Sequence, residues 1–179
     1  MPKLIEHLRE DILSVSKQIL LTDGYAALTM RKVAAQCGIA AGTLYHYFEN
    51  KDMLVANIIL EDWLSVLTLM RQDCLDANSP EDGFCAVYGR IVSFQAPYLQ
   101  IWEQYSFSGK SRSVFHQRHL QLVEQLRVIV HELLERFGLN QVDSIERFLA
   151  ENLLTFANER RNFAPFAEIT RRILHNKGE

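Results

Sequence analysis

The chain has 179 residues, of which 48% are apolar and 23% charged, with a formal net charge of −3. These proportions exclude a disordered chain and a surface coated in positive charge. The length suits one large domain, or a small one joined to a medium one.

Apolar residues recur at helical spacing almost everywhere, and strand-like alternation is scarce, so the expected class is all-α. No period of helical-repeat length recurs, which argues against a solenoid. Cys37, Cys74 and Cys85 are too few and too widely spaced for a disulfide framework or a zinc knuckle, and are expected as reduced thiols. Residues 1–11, MPKLIEHLRED, form a charged amphipathic start rather than a secretory one. The most apolar stretch, Met53 to Met70, carries Asn57, Glu61, Asp62 and Ser65, so no membrane span is expected and the chain reads as cytoplasmic.

In chain order, a first helix is predicted from about Leu4 to Thr22. Ile5, Leu8, Ile12, Val15 and Ile19 form its apolar stripe, and Gly24 is its stop. A second helix begins at Thr29, a residue able to cap the free amides of a first turn. Met30, Val33 and Ala34 face inward, and Cys37-Gly38 ends the helix with the positive φ that a sharp turn demands. Ala34, four residues before Gly38, is small enough for two helices to cross closely, which fits a helix-turn-helix.

A third helix spans about Ala40 to Tyr47, with Ile39, Leu44 and Phe48 directed inward. Its outer face is then Ala40, Ala41, Gly42, Thr43, Tyr45, His46 and Tyr47. That face is small at its start, then hydroxylated and aromatic, where a merely solvated helix carries Lys and Glu. Small residues let a backbone approach a groove, and Thr, Tyr and His donate to phosphates or base edges. Asn50 is the expected cap of a fourth helix, Lys51 to about Asp76. Lys51 in its first turn opposes the helix dipole, a conflict that an anion such as a DNA phosphate would remove. Residues 28–51 hold Arg31, Lys32 and Lys51 against Glu49 alone, whereas residues 1–55 as a whole balance six basic against six acidic groups. This locally basic element lies where a DNA contact needs it.

Ser79-Pro80-Glu81-Asp82 is a helix start, with a cap, a proline at the first position and acids in the first turn. A fifth helix follows to about Gln95 and is broken at Pro97. Further helices are predicted over Tyr98–Tyr105, Ser113–Arg136, Val142–Arg160 and Pro165–Asn176, with Gly138 as a stop between the second and third of these.

The run from Thr29-Met-Arg-Lys-Val-Ala through Gly38-Ile-Ala-Ala-Gly-Thr-Leu-Tyr-His-Tyr-Phe-Glu-Asn-Lys51 resembles the amino-terminal signature of the tetracycline-repressor (TetR) family. The resemblance covers roughly Ile12 to Leu60, and the remainder matches only as a succession of about six helices. It implies a one-component bacterial transcriptional regulator, usually a repressor, with a DNA-binding head at 1–50 and a ligand-sensing, dimerising body at 51–179. Carried over by position, Thr29, Thr43, Tyr45 and Lys51 correspond to phosphate contacts. Arg31 or Lys32, with Ala41, Gly42 and His46, correspond to the groove-facing set, and Tyr47 completes the exposed hydroxyl and aromatic surface. Ala40 stands where many members carry Ser or Thr, and Ala41 where many carry a longer polar residue. Specificity is therefore expected to rest on His46, Arg31 and DNA shape.

The expected partners are double-stranded operator DNA, a second copy of the chain and a small-molecule effector. Trp63, Tyr88, Phe94, Trp102, Tyr105, Phe107 and Phe115 are candidates to line an effector pocket, with ordinary core packing as the competing account of each. Few charges lie among them, so an apolar, aromatic or cationic effector fits better than an anion. Phe148, Leu149, Leu153, Phe156, Ile169 and Ile173 exceed what one helical seam needs and are candidates for the dimer contact. His116 and His119 have no nearby Cys or carboxylate, so no metal site is expected, and no cofactor. Glu-x-x-His pairs, Gly-x-Gly-x-x-Gly and P-loop motifs are absent, which argues against an enzyme. The competing function is a helical interaction module that keeps the hairpin without binding DNA.

Overall fold

The computed structural model describes residues 7–99, 101, 112–139 and 145–175, with only the backbone course for 112–119 and 175. Among these the secondary structure is helical: α1 (Leu8–Ala27), α2 (Met30–Gln36), α3 (Ala41–Tyr47), α4 (Lys51–Asp76), α5 (Pro80–Gln95), a 3₁₀ turn Ala96–Tyr98, α6 (Arg112–Arg136), α7 (Ile145–Asn158) and α8 (Ala164–His175). The all-α expectation holds, and the short helix expected at Tyr98–Tyr105 falls mostly outside the described residues.

The chain divides into two compact units, Met1–Leu64 with Tyr98–Tyr105, and Ser65–Pro97 with Ser106–Glu179. The division falls within α4, because the first half of that helix completes the core of the first unit. Leu54, Val55 and Ile58 of α4 are buried, as are Leu8, Ile12, Ile19 and Leu20 of α1, Val33 and Ala34 of α2, and Leu44 of α3. Burying each large member contributes about 1.5–3 kcal/mol. Polar links add to this seam: Lys17 Nζ lies 2.5 Å from Asp62 Oδ1, and Arg9 pairs with Glu61 and Asn57. Tyr98, fully buried, donates its hydroxyl to the other Asp62 oxygen. Burial and that carboxylate raise the Tyr98 hydroxyl pKa.

α1 departs from the expected ending. Its helical hydrogen bonding resumes past Gly24, which sits at φ 83 and ψ 171, a region essentially confined to glycine. The glycine is thus a kink rather than a terminus, and it carries Tyr25 into a new direction. The sequence of α4 carries apolar residues on several faces, and Met53 and Leu60 among them are about half exposed. By length and composition α4 is long and apolar enough to cross a membrane. Its buried Leu54, Ile58, Trp63, Leu67 and Met70, with Glu61 and Asp62 in ion pairs, instead describe a core helix.

In the second unit α5 packs on α6, α7 and α8, and α7 packs on α6 and α8. The start of α5 is as read from the sequence: Ser79 Oγ accepts from the Asp82 amide at 3.1 Å and Pro80 occupies the first turn. Phe84, Phe156, Phe163 and Phe166 form an edge-on and tilted aromatic cluster with centroids 5.6–5.8 Å apart. Cys74 is buried among these helices, and that burial, with Asp73 close by, pushes its thiol pKa up to about 12. All three cysteines are free.

Candidate nucleic-acid interface

The local sequence dictates a rigid α2–turn–α3 hairpin. Thr29 Oγ1 accepts from the Lys32 amide at 3.2 Å and caps α2. The other end closes as a Schellman motif. Ile39 N donates to Ala34 O at 3.0 Å and Gly38 N to Ala35 O at 3.2 Å, with Gly38 at φ 67. Ala40 starts α3 without any side-chain cap, as its methyl requires. At the far end Phe48 N bonds Leu44 O at 3.0 Å.

Only Leu44 of α3 is buried, and Phe48 just beyond it is buried as well. Ile39 is only half-buried. Ala41, Gly42, Thr43, Tyr45, His46 and Tyr47 are all exposed, so one apolar pin leaves six residues of a seven-residue helix facing outward. His46 and Tyr47 meet edge to face with centroids 5.9 Å apart. Nothing lies within 4 Å of where a Cβ would stand on Gly42, so the start of this face is open.

The three basic residues of the stretch are not equivalent. Arg31 is exposed and forms no ion pair among the described residues. The Lys32 ammonium lies 2.7 Å from Asp23 Oδ2, and that contact holds the Asp23 carboxyl below the usual carboxylate range. Lys51 is half-buried and donates to the Tyr25 carbonyl, with its ammonium 3.7 Å from the centre of the Tyr25 ring. Burial lowers the Lys51 pKa and adjacent Asp52 partly offsets it. Asn50 Oδ1 caps α4 through the Met53 amide at 2.9 Å. Of the alternatives Arg31 or Lys32, the unpaired cation is Arg31. The dipole conflict read at Lys51 is relieved within the chain, by a carbonyl and a ring. Sequence reading missed Tyr25 and Asp23 as partners, and their position beside Gly24, where the chain must turn, was the available signal.

Trp63 is buried. Tyr88 donates its hydroxyl to Arg161 O at 2.6 Å and stacks near Phe163, and Phe94 is half-buried. Trp102, Tyr105, Phe107 and the Phe115 side chain lie outside the described residues, as do the His116 and His119 side chains. The second unit carries an open groove of about 540 Å³ lined by Asp73, Asp76, Asn78, Asp82, Arg90 and Ser93 among others, and none of the aromatic candidates lines it. Among the dimer candidates, Leu149 and Leu153 need correction: both are essentially inaccessible within the protomer, so they have no surface left for a partner. Phe148 and Ile169 are each 48% exposed, and Phe156 and Ile173 are half-buried. Among the described residues no group of three metal-ligating side chains converges.

A compact three-helix head, with a capped hairpin that presents α3 outward, followed by a helical body, defines a helix-turn-helix protein. Residues 12–58 match the family model described as bacterial regulatory proteins, tetR family. Over those residues the chain is similar to the amino-terminal region of the TetR family. It is similar to the HTH-type transcriptional regulator UidR of Escherichia coli strain K12, 34% identical over 64 residues, 36% of this chain and 33% of that protein. It is also similar to the HTH-type transcriptional repressor KstR2 of Mycolicibacterium smegmatis, 33% identical over 89 residues, 49% of this chain and 42% of that one. The match thus spans about a third of the first relative's length and less than half of the second's. Among solved structures, GusR of Salmonella enterica superposes with a TM-score of 0.65 at 20% identity, covering 97% of this chain and 96% of that one. At that identity the likeness is one of fold.

Proposed function

We propose that the chain is a DNA-binding transcriptional regulator that docks α3 in the major groove and represses its targets until an effector releases it. The observation that carries this reading is the exposed face of α3. Thr43, Tyr45, His46 and Tyr47 stand outside the core, and Arg31, also exposed, has no ion pair among the described residues. A packed hairpin with no partner has no use for that surface, whereas phosphates and base edges do. The names of UidR and KstR2, a regulator and a repressor, support the same reading. Thr43 and Tyr45 are the phosphate donors, and His46 and Arg31 read bases and shape.

The functional unit is a homodimer that spaces two copies of α3 about 34–36 Å apart on a near-palindromic site. Exposed Phe148 and Ile169, on α7 and α8, support the dimer contact. The chain acts in the cytoplasm, without enzymatic activity. Its effector is an apolar, aromatic or cationic small molecule that favours a head spacing misfitting the operator.

A salt titration of binding to promoter-derived duplex DNA tests this. A regulator of this kind loses affinity steeply, by about 0.9 log units per log unit of salt for each phosphate contacted. A flat dependence, or no binding, leaves a helical interaction module as the account.

A further inference from the structure

The geometry points to Lys51 as a positioning residue, not a phosphate contact: its ammonium, clamped on the carbonyl and ring of Tyr25, pins together the two ends of the helix-turn-helix. This rests on the reading of the head as a DNA-binding element.

The segment carrying α2 and α3 leaves α1 after Ala27 and enters α4 at Lys51, so Tyr25 and Lys51 flank it. Gly24, at φ 83 and ψ 171, turns the chain so that Tyr25 presents both its carbonyl and its ring to α4. The Lys51 ammonium takes both at once, with the ring centre 3.7 Å away. The Tyr25 hydroxyl in turn donates to the carboxylate of Asp52, the next residue of α4. Each residue of the pair therefore holds the other's helix by two kinds of contact, and the charge, the ring and the carboxylate form one closed set.

A cation on an aromatic face in a half-desolvated site is held more firmly than one on an exposed chain. Solvent-facing lysines that meet phosphates keep their ammonium in water until DNA arrives, whereas burial already depresses the Lys51 pKa. Apart from this clamp, α3 is anchored mainly through Leu44 and Phe48. Loosening the bracket lets the reading helix tilt on those two residues, and its exposed side chains then lose their fixed aim. Preorganisation of this kind contributes to affinity without touching the ligand.

The test compares wild type, Lys51→Met, Tyr25→Leu and the double variant. Each is measured for binding to a mixed-sequence DNA duplex across a salt series, and for amide hydrogen exchange at Leu44 and Phe48 without DNA. Tyr25 carries no charge, so it separates the two roles. The clamp predicts that both single variants lose about tenfold in affinity at one salt concentration with an unchanged salt slope. The double variant should then be no worse than either single one, and exchange should quicken in all three. A Lys51→Met slope shallower by about 0.9 per protomer, with Tyr25→Leu binding like wild type, overturns the clamp in favour of a phosphate contact. Wild type that fails to bind the duplex sinks the DNA reading alone: faster exchange in Lys51→Met still upholds the clamp, and unchanged exchange overturns it.

Discussion

Gly42→Ala separates what folds the head from what makes it work. Gly42 lies in the first turn of α3, its φ is ordinary for a helix, and no atom stands within 4 Å of the new methyl. No strain or clash therefore opposes the change within the chain. Replacing a helical glycine by alanine removes backbone freedom from the unfolded state and contributes about 0.5–1 kcal/mol. For a chain of this size that raises the melting temperature by roughly 2–4 °C per kcal/mol. The same methyl projects from the exposed start of the helix that is proposed to enter the groove. Close backbone approach there is lost, and affinity for duplex DNA should fall about tenfold, or about 1.4 kcal/mol. Differential scanning calorimetry and fluorescence anisotropy on one preparation read both quantities. A variant that is more stable and binds DNA as well as wild type would refute the placement of α3 against the groove.

Gly38→Ala should behave in the opposite sense. Its Cβ also meets nothing, but φ is 67, so the cost is conformational and about 1–2 kcal/mol, seen as a lower melting temperature. Arg160 holds φ 50 at the end of α7, where Arg161 N bonds Phe156 O at 2.9 Å in the same type of helix stop. Arg160→Gly should therefore stabilise by about 0.5–1 kcal/mol in chemical denaturation. His46→Ala should change which sequences are recovered from a random duplex pool while leaving the salt slope alone, since a base-edge contact specifies and a phosphate contact positions. Asp73 is held below its ordinary pKa of 3.8 chiefly by the Arg90 guanidinium, at 2.7 and 3.0 Å. A depressed carboxylate stabilises the fold above its unfolded pKa and loses that contribution as pH falls through the folded one. Wild type should thus lose stability as pH drops below 3.8, and Asp73→Asn should flatten part of that loss in an acid titration followed by circular dichroism.

The head was largely legible in the sequence because its determinants are local. Thr29, Gly38 and Asn50 act close to themselves in sequence, as Ser79 does in the second unit, and the structure places each cap and turn where residue type demands it. What escaped were contacts that only the fold brings together. Lys51 and Tyr25 are 26 positions apart, and Asp73 and Arg90 are 17 apart on different helices. No periodicity encodes such pairs. Leu149 and Leu153 show a related limit: spacing identifies an apolar face but does not say whether the chain's own α5 and α6 or a second copy covers it. Gly24 was legible as a break, yet whether a glycine ends a helix or bends it depends on what the next residues pack against.

Whether α3 and its capped hairpin meet DNA is decided by amide-resolved NMR of the labelled full chain titrated with duplex DNA. Perturbations should concentrate at Thr29, Arg31 and Ala41 to Tyr47 and fade as salt is added. Perturbations confined to α7 and α8, or none at saturating duplex in low salt, would rule out α3 as the DNA-contacting element.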